Sequence, residues 1–267
     1  MPVARLTDRA VLIVSGPEAR AYLQDLVTND VTRLTAATPL WAGLLSAQGK
    51  ALFDMILFDG GPAAPDAVLI DVAADRADAL AKRLTMYKLR RAVTIAPQPA
   101  LHVFAAWGPP VAGRPADPQL AALGQRWIAS AIDGDAATDA GVDDYARHRL
   151  MLGVAASADL ATDRTLWLEA NAVELNGVSF TKGCYVGQEN TARMHHRDKL
   201  RRRLLPVMLS GVPADDAITA GGVAAGELCS HRDGRGIAWL KVDAAGVALS
   251  VGGVAARVDW PAWLPPA

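Results

Sequence analysis

The chain has 267 residues, 51% hydrophobic and 21% charged, with a formal net charge of -1. That composition excludes a disordered chain, and the near-zero charge excludes a bulk field that would draw the molecule to nucleic acid or membrane. Two cysteines, Cys184 and Cys229, outside any C-x-x-C pair, exclude a disulfide framework and a self-contained four-cysteine metal or cluster site.

The first residues lack the apolar core of a signal peptide, and no apolar run approaches the roughly 20 residues of a membrane span. The expected location is the cytoplasm. Residues 10–14 form an apolar run that reads as a buried strand ending at Ser15-Gly16-Pro17. Pro17 then opens a helix with Ala19, Tyr22, Leu23 and Leu26 on one face, closed by the turn signal Thr28-Asn29-Asp30. Residues 40–47 and 51–58 are strand-like and hinge at Gln48-Gly49, which predicts a hairpin. A strand at 67–72, a helix over 75–87 and strands at 92–95 and 101–106 follow. This order predicts an α+β arrangement with helices on a mainly antiparallel sheet. Residues 108–141, rich in Ala, Pro, Gly and Asp, read as linker and surface loop around an apolar island at Trp127-Ile128. A helix is expected over 143–152, with Asp143 or Asp144 near its N-cap. From Pro206 onward, short apolar runs punctuated by glycine predict a small β-barrel or sandwich.

Lys182-Gly183-Cys184-Tyr185-Val186-Gly187-Gln188-Glu189 concentrates a thiol, a cation, a phenol, an amide and a carboxylate between glycines. Flanking glycines mark a sharp turn or a close backbone approach. Cys184 has Lys182 beside it, Arg193 downstream and a helix start at Gly187, a setting that favours a thiolate. A lone cysteine is more often a small buried hydrophobe, and that reading suits Cys229. Gln188 and Glu189 could hydrogen-bond a heterocycle, or Glu189 could simply complement the helix N-terminus. The cationic run 193–203 reads first as a solvated connector, with an anionic ligand tail or RNA backbone as the sharper alternative. His195 and His196 lack the i, i+4 spacing of helical metal ligands, so no metal is assigned. Asp54 lies in an apolar strand, where it either meets solvent or faces a pocket. Met86-Tyr87-Lys88-Leu89-Arg90-Arg91 ends a helix with cations that suit its dipole.

Residues 182–189 resemble the K-G-C-Y-x-G-Q-E signature of the YgfZ-type folate-binding proteins of iron–sulfur cluster maturation, relatives of the glycine-cleavage T-protein. The likeness extends through Leu175-Asn176-Gly177-Val178-Ser179-Phe180-Thr181 and Thr191-Ala192-Arg193, and covers all but the 108–141 stretch. It implies a T-protein-like ring of three small domains. The first two interlace within residues 1–203, the second of them roughly 49–106, and a β-barrel occupies 204–267. It also implies a central pocket for tetrahydrofolate. Lys182, Cys184 and Asp54 would carry the chemistry, and Tyr185, Gly187, Gln188, Glu189, Tyr145 and Arg193 would contact the ligand. Iron–sulfur proteins such as a tRNA methylthiotransferase would be the clients, with no membrane partner. Two departures follow from the same resemblance. T-proteins carry paired aspartates where this chain has Phe53-Asp54, which weakens aminomethyl transfer or demethylation with tetrahydrofolate as an alternative activity. Some YgfZ-type proteins place a tryptophan where this chain has Arg9. A tRNA-binding accessory module is the third reading.

Overall fold

The computed structural model describes residues 2–62, 64–130, 138–197 and 200–264. Two antiparallel sheets and a closed barrel organise the chain. The larger sheet has the order β3-β4-β5-β2-β6, from Arg9–Ser15 (β2), Leu40–Leu45 (β3), Ala51–Asp59 (β4), Val68–Ala73 (β5) and Thr94–Pro97 (β6). Helix α1 (Ala19–Gln24) and helix α2 (Ala77–Lys88) cover one face. Tyr22 and Leu23 of α1 and Leu80 and Leu84 of α2 join Leu12, Met55, Leu57 and Ile70 in one core. The period-3.6 apolar positions of the helices thus meet the period-2 positions of the strands.

The second sheet has three strands, β1 (Val3–Arg5), β7 (Leu101–Ala106) and β8 (Gln125–Ser130), in the order β1-β7-β8. The expectation of surface loop over 108–141 is corrected here. The island at Trp127 is strand β8, paired residue for residue with β7, and Trp127 stacks on Phe104 at 5.7 Å. Two aromatic rings against each other outweigh the poor strand propensity of their surroundings. The larger sheet therefore draws on residues 9–97, a wider span than 49–106, while the chain's first strand crosses to the other sheet.

Helix α3 (Val142–Leu152) begins where expected, with Gly141 at the N-cap and Asp144 accepting from the Gly141 N–H at 2.9 Å. Helix α4 (Gln188–Arg197) follows the cysteine loop. The barrel closes as β10-β11-β12-β9-β14-β13, from Arg202–Leu209 (β9), Ala217–Ala220 (β10), Val223–Arg232 (β11), Arg235–Lys241 (β12), Leu249–Val251 (β13) and Val254–Val258 (β14). Closure leaves no edge strand, which matters for strands this short. Among the described residues, no helix is long and apolar enough to cross a membrane.

Candidate functional site

Two features carry chemistry: a cavity where the two sheets, α3 and the 155–162 segment meet, and the loop that presents Cys184. The cavity has a volume of about 700 Å³, within the range of small-molecule sites. Strand β4 lends Ala51 to Asp54 and Ile56 to its wall, α3 lends Tyr145 and Arg149, and Trp41 closes one side. Asp54 faces it, as expected of a carboxylate in an apolar strand, and accepts from Trp41 Nε1 at 3.4 Å. Tyr145 lines it too, only 5% exposed, and its hydroxyl donates to Asp117 at 3.4 Å. Burial, then the neighbouring Asp117, pushes the Tyr145 phenol well above its ordinary value.

Beneath the cavity lies a charge network that sequence reasoning missed. Asp71 is fully buried in β5 and accepts from Arg9 Nε at 2.6 Å and from Arg126 Nε at 2.7 Å. Arg9 also donates to Ser157 Oγ at 2.7 Å, so it is a fixed wall of the cavity and no substitute for an aromatic contact. Asp117 sits 3.9 Å from Arg126, and burial raises its pKa. A signal existed: Asp71 stands in Val-Leu-Ile-Asp-Val-Ala, the same carboxylate-in-an-apolar-strand pattern that singled out Asp54.

The cysteine loop turns its side chains in, out, out and in over residues 182–185. Lys182 and Tyr185 point inward at 7% exposure each, while Gly183 and Cys184 face solvent. The Lys182 ammonium donates to the carbonyls of Gln24, Val27 and Asn29, at the end of α1 and in the following turn, at 2.5, 2.5 and 3.1 Å. It also stands 5.1 Å from the centre of the Tyr185 ring. Desolvation pushes the Lys182 pKa down to about 8, against the pull of Asp30 and Asp25. Burial likewise raises the Tyr185 phenol to about 12.

Gly187 has φ +86°, and a Cβ there would meet the Ser46 carbonyl at 2.5 Å. Asn190 donates to the Gln48 carbonyl at 2.7 Å, fastening α4 to the β3–β4 turn. Glu189 and Arg193 are exposed, and Arg193 donates to Asn190 at 2.7 Å.

The expectation of one site at the pocket mouth is thereby corrected. None of Lys182, Cys184, Tyr185, Gly187, Gln188, Glu189 or Arg193 lines the cavity, whereas Asp54 and Tyr145 do. The loop grips the turn of the hairpin whose second strand forms the cavity wall. Lys182 is spent on structure, so it is not the cationic neighbour of the thiol that its position in the sequence suggested. The cationic run 193–203 is similarly dispersed: Arg202 lies over the Trp239 ring at 4.2 Å and Arg203 pairs with Glu174 at 2.7 Å. Residues 198 and 199 lie outside the described residues. Cys229 is half-buried, and burial pushes its thiol up to about 12.

Fold and site define a class, a T-protein-type scaffold closed by a small barrel and carrying one exposed cysteine. The crystal structure of glycine cleavage system aminomethyltransferase T from Bartonella henselae matches with a TM-score of 0.75, covering 99% of this chain and 86% of that one, at 16% identity. Residues 201–266 match the CAF17 C-terminal β-barrel domain. The chain is 36% identical to the mitochondrial iron–sulfur cluster assembly factor IBA57 of Mus musculus, over 89% of this chain and 76% of the relative. It is 34% identical to that of Homo sapiens, over 88% and 76%. The chain belongs to the IBA57 family.

Proposed function

We propose that this protein assists the assembly or repair of iron–sulfur cluster proteins, with the exposed Cys184 thiol as its point of contact with a cluster or client and tetrahydrofolate as the ligand of its cavity. The observation that carries the reading is the contrast between the two cysteines. Cys184 is exposed on a loop fixed by a buried lysine, whereas Cys229 is half-buried with its thiol held protonated. Kinship with proteins named as iron–sulfur cluster assembly factors supports the cluster as cargo. Among the described residues, no group of three or more His, Cys, Asp and Glu side chains could hold a metal. One thiol cannot complete a cluster's ligand set, so Cys184 acts together with ligands from a partner.

The cavity's donor set fits a folate. Its volume suits a pterin, its lining includes the aromatic side chains of Trp41 and Tyr145, and the Asp54 carboxylate is an acceptor for adjacent ring N–H groups. Bound there, tetrahydrofolate would supply one-carbon or redox chemistry at its reduced ring. The chain's own contribution is to orient the ring through Asp54, while the Tyr145 hydroxyl, its proton donated to Asp117, stays neutral in the wall. Phe53 in place of a second carboxylate speaks against aminomethyl transfer. Two free thiols suit a reducing compartment.

The test combines two readouts. Cys184→Ser is expected to leave iron–sulfur enzymes inactive in a strain lacking the protein, while Cys184→Ala keeps the tetrahydrofolate affinity of the wild type. Asp54→Asn is expected to weaken that affinity about tenfold, the loss of one charge-assisted hydrogen bond. Full rescue by Cys184→Ser would remove the thiol role. Absence of folate binding by the wild type would remove the ligand.

A further inference from the structure

The C-terminal end of α2 breaks two rules at once. Met86 and Leu89 are 69% and 86% exposed, among the largest apolar exposures of the described residues. Leu89 also has φ 48° and ψ -112°. The Arg91 N–H donates to the Lys88 carbonyl at 2.9 Å, which closes a four-residue turn over Leu89. Those angles belong to the first central position of a type II′ turn, a position that glycine dominates. The side chain at this strained position reaches no core, so folding gives no reason for a leucine there.

Around the two apolar side chains stand Lys82, Arg83, Lys88 and Arg90. None of the four makes an ion pair among the described residues, although Asp78 lies one turn before Lys82. Lys82 and Arg83 stand one turn before Met86 on α2, and Leu89 and Arg90 follow in the turn just past the end of the helix. The helix dipole accounts for cations in a last turn. It accounts for neither the exposed leucine nor the exposed methionine. The apolar face of α2 is already used, with Ala77, Leu80 and Leu84 in the core, so no amphipathic face remains to lie on a membrane. No aromatic ring is exposed among these residues to stack on a base.

We infer that the end of α2 is a docking surface for an acidic protein segment that seats one or two apolar side chains, with Met86 and Leu89 as the anchors and Lys82, Arg83, Lys88 and Arg90 as the charge rim. Charge complementarity selects the occupant: four cations that make no ion pair among the described residues, around a small apolar centre, match an acidic rim around an apolar hollow. Two anchors make a small contact, so the association is transient and salt-sensitive. The surface joins the cysteine loop through α1. Arg91 pairs with Asp25 at 2.6 Å, and Lys182 holds the carbonyl of Gln24 on the same helix end. A partner seated on α2 is therefore linked to the Cys184 loop through the Arg91–Asp25 and Lys182–Gln24 contacts.

The experiment places a photoreactive benzoylphenylalanine at position 89 of the full chain in living cells and sequences the cross-linked peptides. The expected product is one recurring protein, cross-linked through a segment rich in Asp and Glu. Its yield should fall at least tenfold in the Lys82→Glu/Arg90→Glu double variant. The purified partner should then bind Leu89→Gly at least tenfold more weakly than the wild type, although that variant melts no lower. Cross-links to RNA, to lipid or to a second copy of this chain would overturn the inference. So would an absence of cross-links, a yield indifferent to charge reversal, or full binding by Leu89→Gly.

Discussion

The Lys182 Nζ and the Val27 carbonyl oxygen lie 2.5 Å apart, across 155 residues of chain. With the Gln24 and Asn29 carbonyls, this bond makes Lys182 a clamp between the end of α1 and the loop of Cys184. A buried ammonium is costly unless its donors are all used, and three acceptors use all three. Lys182→Met keeps the stem but leaves three carbonyls facing a methyl group. The expected loss is about 1–3 kcal/mol, read as a lower denaturant midpoint with an unchanged m-value.

The same lysine sets a pH dependence. Its pKa, lowered by desolvation to about 8 in the folded chain, returns to the ordinary lysine value of about 10.4 on unfolding. Between those values the unfolded chain binds the proton and the folded chain does not, so stability from this group rises with pH. The opposing cost is fully present below pH 8 and relieved as the pH approaches the unfolded value. The gap between wild type and Lys182→Met should therefore widen from pH 7.5 to pH 10. A constant gap would assign Lys182 an ordinary pKa.

Sequence and structure agree wherever a local pattern decides the outcome. Strand β4 and helix α2 were legible as local runs bounded by turn signals, and both form where those runs lie. Asp54 was legible for the same reason, as a charge against a pattern. Strand β8 was not, because its pairing with β7 and the Phe104–Trp127 stack are long-range facts hidden behind loop-like composition. The role of Lys182 was misread for a related reason. Proximity to Cys184 along the chain suggested electrostatic company, whereas alternation in an extended loop sends neighbours two apart to the same side only if nothing turns the chain. Here Gly183 intervenes, exposed, and the lysine goes inward while the thiol goes out.

Gly187 is required on two independent grounds. Its φ of +86° disfavours any side chain, and an added Cβ would lie 2.5 Å from the Ser46 carbonyl and 3.0 Å from Leu45 Cβ. Gly187→Ala is expected to cost about 2 kcal/mol or more, the sum of left-handed strain and a backbone clash. Because the clash pushes α4 off the β3–β4 turn, amide exchange should quicken at Ser46 to Lys50 ahead of the barrel strands. Equal protection in both variants would show that the loop relaxes without the turn.

Asp71 holds two guanidinium groups that, among the described residues, no other carboxylate approaches within 3 Å, since Asp117 reaches Arg126 only at 3.9 Å. Asp71→Ala leaves Arg9 without a carboxylate partner and Arg126 with only Asp117 at 3.9 Å, at a cost of about 3–5 kcal/mol. Since Arg9 and Arg126 both line the cavity, the loss of order there should appear as weaker binding of the proposed ligand, tetrahydrofolate, in the fraction that remains folded. The barrel does not share this network, so its amide protection should outlast that of β2 and β5.

Leu89→Gly runs the other way. The leucine occupies φ 48°, ψ -112° with its side chain in solvent, a conformation that costs about 1–3 kcal/mol for a residue with a Cβ. Glycine removes that strain but adds backbone freedom to the unfolded chain, an offset of about 0.5–1 kcal/mol. The net expectation is a gain near 1 kcal/mol, a rise in Tm of about 2–4 °C for a chain of this size. Stabilisation by removing a large side chain is unusual, because most truncations cost stability. It occurs here because folding is not what holds the leucine in place. A lower Tm for Leu89→Gly would mean that Leu89 makes a stabilising contact in the folded chain, and the strain at the end of α2 would then belong to packing and not to recognition.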